Sequence, residues 1–160
     1  VIPNPLINIV LQGHHDTFPK RRGLTRFKEM LAMGINVGWG QDCVPDLWYS
    51  LGTGDMLDVA LMGLQVAQMT SPDALRKCFD MVTTGNARTM GLQNYGSEVG
   101  AKASLVVLDA GDPIEALRLR ANRLCVIAKG RVIARGPRSD TVLNLPGRPD
   151  RVGRRHKTSQ

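Results

Sequence analysis

The chain has 160 residues, of which 42% are hydrophobic and 22% charged, with a formal net charge of +7. That balance suits one globular domain, or one small domain with an appendage, and excludes collagen-like, mucin-like and fully disordered readings. No run approaches the roughly 20 apolar residues of a membrane-crossing helix, and residues 1–10, with two prolines and no basic cluster, do not read as a signal peptide.

The first element is LINIVL at 6–11, a β-branched apolar run between Pro5 and Gly13. It predicts a buried strand. PKRRG at 19–23 is a basic turn. In TRFKEMLAM at 25–33, Phe27, Met30, Leu31 and Ala32 fall near helical spacing, with Thr25 able to cap and Gly34 able to stop the helix. INVGW at 35–39 predicts a second apolar strand, running straight into Gly40, Gln41, Asp42 and Cys43. Strand, helix and strand in that order predict a parallel βαβ unit.

A loop with Pro45, Trp48, Gly52 and Gly54 follows. Thr53 or Asp55 can cap a helix over 54–69, where Leu57, Ala60, Leu61, Leu64 and Ala67 keep helical spacing. Ser71, Pro72 and Asp73 open another helix over 74–82. Residues 83–92 read as a polar elbow and a short helix. After Gly100 the pattern turns to strands: 103–109, ending at Asp109, then 124–128 and 131–134 as a hairpin about Lys129 and Gly130. Residues 138–145 are a candidate last edge strand. The chain therefore divides near residue 97, with an α/β part first and a β-rich part second.

Much of the charge is local. Residues 146–160 carry Arg148, Arg151, Arg154, Arg155 and Lys157 against Asp150, so they supply +4 and leave +3 for the rest. A like-charge block at a terminus reads as a disordered tail. Aromatics are only 4%, so no basic face interleaved with aromatics is expected, and no nucleic-acid or membrane partner. Cys43, Cys78 and Cys125 are odd in number and far apart. They fit neither a zinc knuckle nor a disulfide framework and suit a reducing cytoplasm.

Histidine is limited to His14, His15 and His156. His14 and His15 read either as metal ligands or as a loop pair with Asp16 as a local cap. Asp42 is more informative. It lies at the C-terminal end of a predicted parallel strand, where α/β sheets and barrels bind ligands. A carboxylate there can hold a divalent ion or take a proton from water; the competing reading is a turn or helix-cap aspartate. Cys43 reads as a nucleophile or as a small pocket wall, and a neighbouring negative charge weakens the nucleophile. Trp48 reads as an aromatic face for a flat ligand or as a loop anchor on the next helix.

Several motifs occur together in order: NPLIN (4–8), DTFPKRRG (16–23), GINVGWG (34–40), QDCVPDLWYSLGTGDML (41–57), TTGNARTMGL (83–92), VGAKASLVVLD (99–109) and VIAKGRVIA (126–134). Over residues 1–145 the chain resembles the C-terminal part of bacterial cytosine deaminases of the amidohydrolase superfamily. NPLIN resembles that family's strand seven, and GINVGWG its strand eight. The resemblance implies an α/β fold: the C-terminal portion of a (β/α)8 metal-dependent hydrolase barrel over 1–96, part of a small β-sandwich domain over 97–145, and a basic tail over 146–160.

It also implies a chemistry. A divalent metal, iron(II) or zinc, activates water, which attacks the amine-bearing carbon of a cytosine-like ring, and ammonia leaves. Asp42 matches the strand-eight aspartate that binds metal and shuttles the proton, so it is the expected catalytic residue and metal ligand. Trp48 matches an aromatic substrate contact. Cys43 stands where typical cytosine deaminases carry a second aspartate beside the ring, and Gln41 where the family often has histidine. A neutral thiol implies a roomier, less polar pocket and a cytosine substituted at ring carbon five, 5-methylcytosine foremost. Triazines and other cyclic amidines are the competing rings.

The family's other metal ligands and its acid–base glutamate have no counterpart here. A barrel of this kind needs about 250 residues, and a catalytic zinc usually takes about three protein ligands. The chain is thus expected to be part of a longer enzyme, inactive alone, associating as a homo-oligomer or with the missing barrel segments. A non-catalytic remnant or interaction module is the alternative.

Overall fold

The structure is a computed structural model that describes residues 1–21, 23–138 and 140–153. The chain forms two compact units, Val1–Gln93 and Asn94–Gln160.

The first unit is built about the extended segment 35–40. Residues 1–3 run parallel to it: Val1 N donates to Asn36 O (3.1 Å), Gly38 N to Val1 O (3.0 Å) and Gly40 N to Pro3 O (3.1 Å). Pro3 has no N–H to return, so the ladder lacks a rung. The other edge is held at one residue. Trp39 N donates to Met81 O (2.9 Å), and Asn86 Nδ2 donates to Trp39 O (2.8 Å).

Two extended segments thus run parallel, but residues 35–39 do not form the expected strand, since the strands among the described residues begin at Leu105, and the first segment begins earlier than the sequence suggests. LINIVL is not a strand. It lies in helix α1, Pro5–Leu11. Pro5 occupies the first turn, where its missing N–H costs nothing, and Ile7 and Pro5 face inward. A six-residue apolar run cannot be assigned by composition, because burial decides between strand and helix.

Helix α2 spans Phe27–Ala32, and its flanking residue at the N-terminal end is Arg26 rather than Thr25. Gly34, at φ 76°, ends the turn that follows. Helix α3, Met56–Val66, starts at Asp55, whose carboxylate accepts from Leu57 N at 2.8 Å. Helix α4, Pro72–Met81, is capped by Ser71, which accepts from Ala74 N at 3.3 Å. Helix α5 covers Thr84–Thr89.

Along 37–41, side chains alternate, and Val37, Trp39 and Gln41 are all buried. Trp39 is fully buried. Its ring meets Phe27 of α2 edge-on, with centroids 5.6 Å apart at 88°. It also lies on Gly63 of α3, where a Cβ would come within 2.7 Å of the indole. An alanine there would gain helix propensity of about 1 kcal/mol yet force the tryptophan to move.

The second unit holds a three-stranded antiparallel sheet in the order β1–β2–β3. Its strands are β1, Leu105–Leu108, β2, Arg123–Ala128, and β3, Arg131–Arg135. Leu105 opposes Ile127 and Val106 opposes Val126. The β2–β3 turn has φ 49° at Lys129 and φ 76° at Gly130, both positive as a tight two-residue hairpin requires. Helix α6, Pro113–Leu119, joins β1 to β2 and was not expected from the sequence. Its signal is present in Asp112-Pro113-Ile114-Glu115. Asp112 accepts from Glu115 N (2.8 Å), and Glu115 accepts from Gly111 N (2.7 Å).

Strands β4, Asp140–Val142, and β5, Arg151–Gly153, pair antiparallel. Pairing therefore reaches into the stretch expected to be tail, while residues 154–160 of that stretch lie outside the described residues. No helix among the described residues is long and apolar enough to cross a membrane.

Gly63→Ala is expected to destabilise the protein by about 1–3 kcal/mol through overpacking against Trp39. Thermal unfolding reads this as a lowered Tm; an unchanged Tm would show that the indole has room to shift.

Candidate functional site

The extended segment 35–40 delivers Gln41, Asp42 and Cys43 at its C-terminal end. Asp42 is exposed and has φ 65°. Left-handed backbone costs a residue with a side chain about 1–2 kcal/mol, and such strain gathers at functional positions. Its carboxylate caps no helix. Asn4, at the end of the neighbouring parallel segment, donates from Nδ2 to Asp42 Oδ2 at 3.3 Å. Asn4 can come this close because residue 40 is glycine; a Cβ there would overlap the Asn4 carboxamide oxygen.

Cys43 is buried beside Ile7 and Tyr49. Its thiol pKa is pushed up to about 11, first by its hydrogen bond to the Asp46 carboxylate, then by burial, then by the negative charges of Asp46 and Asp42. The thiol therefore stays protonated at neutral pH, which weakens the nucleophile reading. The same bond, together with the Tyr49 and Trp48 amides, holds the Asp46 carboxyl below its ordinary value.

Trp48 is 73% exposed and does not anchor the loop on the next helix. Tyr49 is the anchor, buried at 7% exposure. Gln41 is buried, and neither its Oε1 nor its Nε2 has a partner among the described residues. An unpaired buried amide group costs about 1–3 kcal/mol.

His14 and His15 are exposed and touch edge-on, with ring centroids 4.9 Å apart. Asp16 does not serve them. It takes a bidentate pair from Arg21, Nε to Oδ2 at 2.5 Å and Nη2 to Oδ1 at 2.7 Å. Arg21 holds the Asp16 carboxyl below the usual carboxylate range. Among the described residues, no group of three or more His, Cys, Asp and Glu converges on one point. The described residues therefore do not make a metal site by themselves, and Asp42 stands as one carboxylate beyond the extended segment 35–40.

Sequence reasoning placed Asp42, Cys43 and Trp48 on one short stretch but did not find Asn4, Asp46 or Tyr49. Asp46 carried a local signal, since aspartate often accepts from the backbone two and three residues on. Asn4 carried none, because its contact spans 38 residues.

The model of the Amidohydrolase family matches residues 1–134. The chain belongs to the amidohydrolase family. Members of this superfamily generally depend on a divalent metal and include deaminases built on (β/α)8 barrels. Among solved amidohydrolases, 5-methylcytosine deaminase from Klebsiella pneumoniae with 5-fluorocytosine is 42% identical, with a TM-score of 0.80 over 85% of this chain and 33% of its own. The N-isopropylammelide isopropylaminohydrolase of Burkholderia multivorans is 36% identical, with a TM-score of 0.63 over 66% of this chain and 27% of its own. The N-isopropylammelide isopropyl amidohydrolase of Pseudomonas sp. strain ADP is 41% identical over 108 residues, 67% of this chain and 27% of that protein. The chain thus spans about a third or less of these relatives.

Two outcomes follow from the geometry. At pH 8, with a pKa of about 11, roughly one Cys43 thiol in a thousand is ionised. Peptide mapping after brief iodoacetamide treatment should find Cys43 unmodified until the protein is denatured; rapid native labelling would contradict a buried, protonated thiol. Residues 1–160 alone should retain well under one equivalent of zinc or iron(II) after dialysis, read by elemental analysis.

Proposed function

We propose that the protein carrying this chain is a metal-dependent hydrolytic deaminase of a cytosine-like pyrimidine, releasing ammonia to give uracil or thymine. We infer further that its preferred substrate is a cytosine substituted at ring carbon five, with 5-methylcytosine foremost. The observation that carries the preference is Cys43, a buried neutral thiol one residue from Asp42. A thiol is smaller and less polar than the carboxylate expected there in typical cytosine deaminases, so it leaves room for a methyl group. The likeness to a 5-methylcytosine deaminase supports this reading. The likeness to N-isopropylammelide hydrolases supports a triazine as the competing ring.

In this reading Asp42 holds one position of the metal and accepts a proton at its carboxylate, with Asn4 fixing one oxygen. The other ligands come from segments outside residues 1–160. A metal bound there, iron(II) or zinc, supplies a water acidic enough to ionise near neutral pH. Trp48 offers a flat face to the ring, and Cys43 borders the substituent. The sheet of the second unit forms part of a small β-sandwich, and the protein works in the cytoplasm. Association, as a homo-oligomer or with further barrel segments, belongs to the same proposal.

Steady-state kinetics on the full-length enzyme test it, with cytosine, 5-methylcytosine and N-isopropylammelide as substrates. 5-Methylcytosine should have the highest kcat/KM. Cys43→Asp should lower the ratio of 5-methylcytosine to cytosine by about tenfold or more, as expected when a pocket loses room for one methyl group. A strong wild-type preference for plain cytosine would sink the substituent argument, and a preference for the ammelide would favour the triazine reading.

A further inference from the structure

The loop that carries Cys43 and Trp48 turns about Asp46. Asp46 Oδ1 accepts from Trp48 N and from Tyr49 N, each at 2.9 Å. Its own N donates to Tyr49 O at 3.4 Å. The turn is therefore closed through both side chain and backbone, and a charged acceptor makes the stronger kind of hydrogen bond.

Two more contacts fix the ends of the loop. Tyr49 is buried with Cys43 and Ile7. Gly52 lies against the Cys43 carbonyl, where a Cβ would overlap the oxygen. Within this closed loop, Trp48 stands 73% exposed, and the side chains of Val44, Leu47 and Leu51 in the same stretch are exposed as well. An unrestrained loop of that composition would fold its indole down onto its apolar neighbours to shed water-exposed surface. The Asp46 turn opposes that collapse, because the two hydrogen bonds accepted by its Oδ1 fix the backbone on which Trp48 is mounted.

We propose that Asp46 is a positioning residue for ring binding: it holds Trp48 outward as a preformed platform and keeps Cys43 in place as the wall. The inference rests on the reading of Trp48 and Cys43 as ring contacts. Asp46 then acts on substrate affinity and not on the chemical step, which belongs to Asp42. Preformed contacts of this kind strengthen binding by removing the ordering cost.

Three variants of the full-length enzyme test this, with KM and kcat measured separately. Asp46→Ala should raise KM for the preferred substrate about tenfold while kcat stays within about twofold. Its metal content should match the parent. Hydrogen exchange at the Trp48 and Tyr49 amides should quicken. Asp46→Asn keeps an oxygen acceptor, so it should return KM to within about threefold of the parent and restore amide protection. Trp48→Ala separates the two levels of the argument. If it leaves KM unchanged, the reading of Trp48 as a ring contact fails. If it raises KM while a folded Asp46→Ala does not, the positioning role of Asp46 is overturned. Fast exchange at both amides in the parent protein overturns it too, whatever the fate of the alanine variant.

Discussion

The burial of Trp39 is the constraint on which the first unit depends. Its indole fills the space between Phe27 of α2 and Gly63 of α3. Its backbone is tied on the edge opposite the parallel neighbour by Met81 and Asn86. A ring buried on all sides, in a segment bonded along both edges, leaves the chain little freedom to slide, since interiors pack as densely as organic crystals. Three residues later the backbone enters the left-handed region at Asp42. The carboxylate is thus aimed by packing that lies behind it.

The site has a two-part construction. Asn4 comes from the end of the parallel neighbour and reaches Asp42 because residue 40 has no side chain. The following loop is organised by its own aspartate, Asp46. The Asp42 carboxylate accepts from the Asn4 side chain, while the Asp46 carboxylate is engaged by backbone donors and a thiol. Two acidic residues four positions apart therefore have different hydrogen-bond environments.

How much of this was legible in sequence varied with the range of the interaction. Local signals were sufficient for α3 and α4, whose caps Asp55 and Ser71 sit where helix rules put them. The Lys129–Gly130 turn was equally local. LINIVL failed because a short apolar run with β-branched residues suits a strand or a buried helix, and composition does not choose between them. The true parallel neighbour, 1–3, contains Pro3, which hides a strand by removing a ladder donor. Helix α6 had a readable Asp-Pro-x-Glu start that the β-rich surroundings obscured. At the candidate site, Asp42 and Cys43 were singled out from their position after the segment 35–40 and from the family motif. Asn4 could not be, since a contact across 38 residues leaves no local trace.

The central claim is that the extended segment 35–40 presents Asp42 for chemistry. Turnover of the full-length enzyme with Asp42→Asn measures it most directly. The substitution keeps size and the Asn4 neighbourhood but removes the charge and the proton acceptor. The account predicts that kcat falls by roughly 10²–10⁴-fold, with the fold intact by circular dichroism. A variant that keeps kcat within a few-fold of the parent would contradict it.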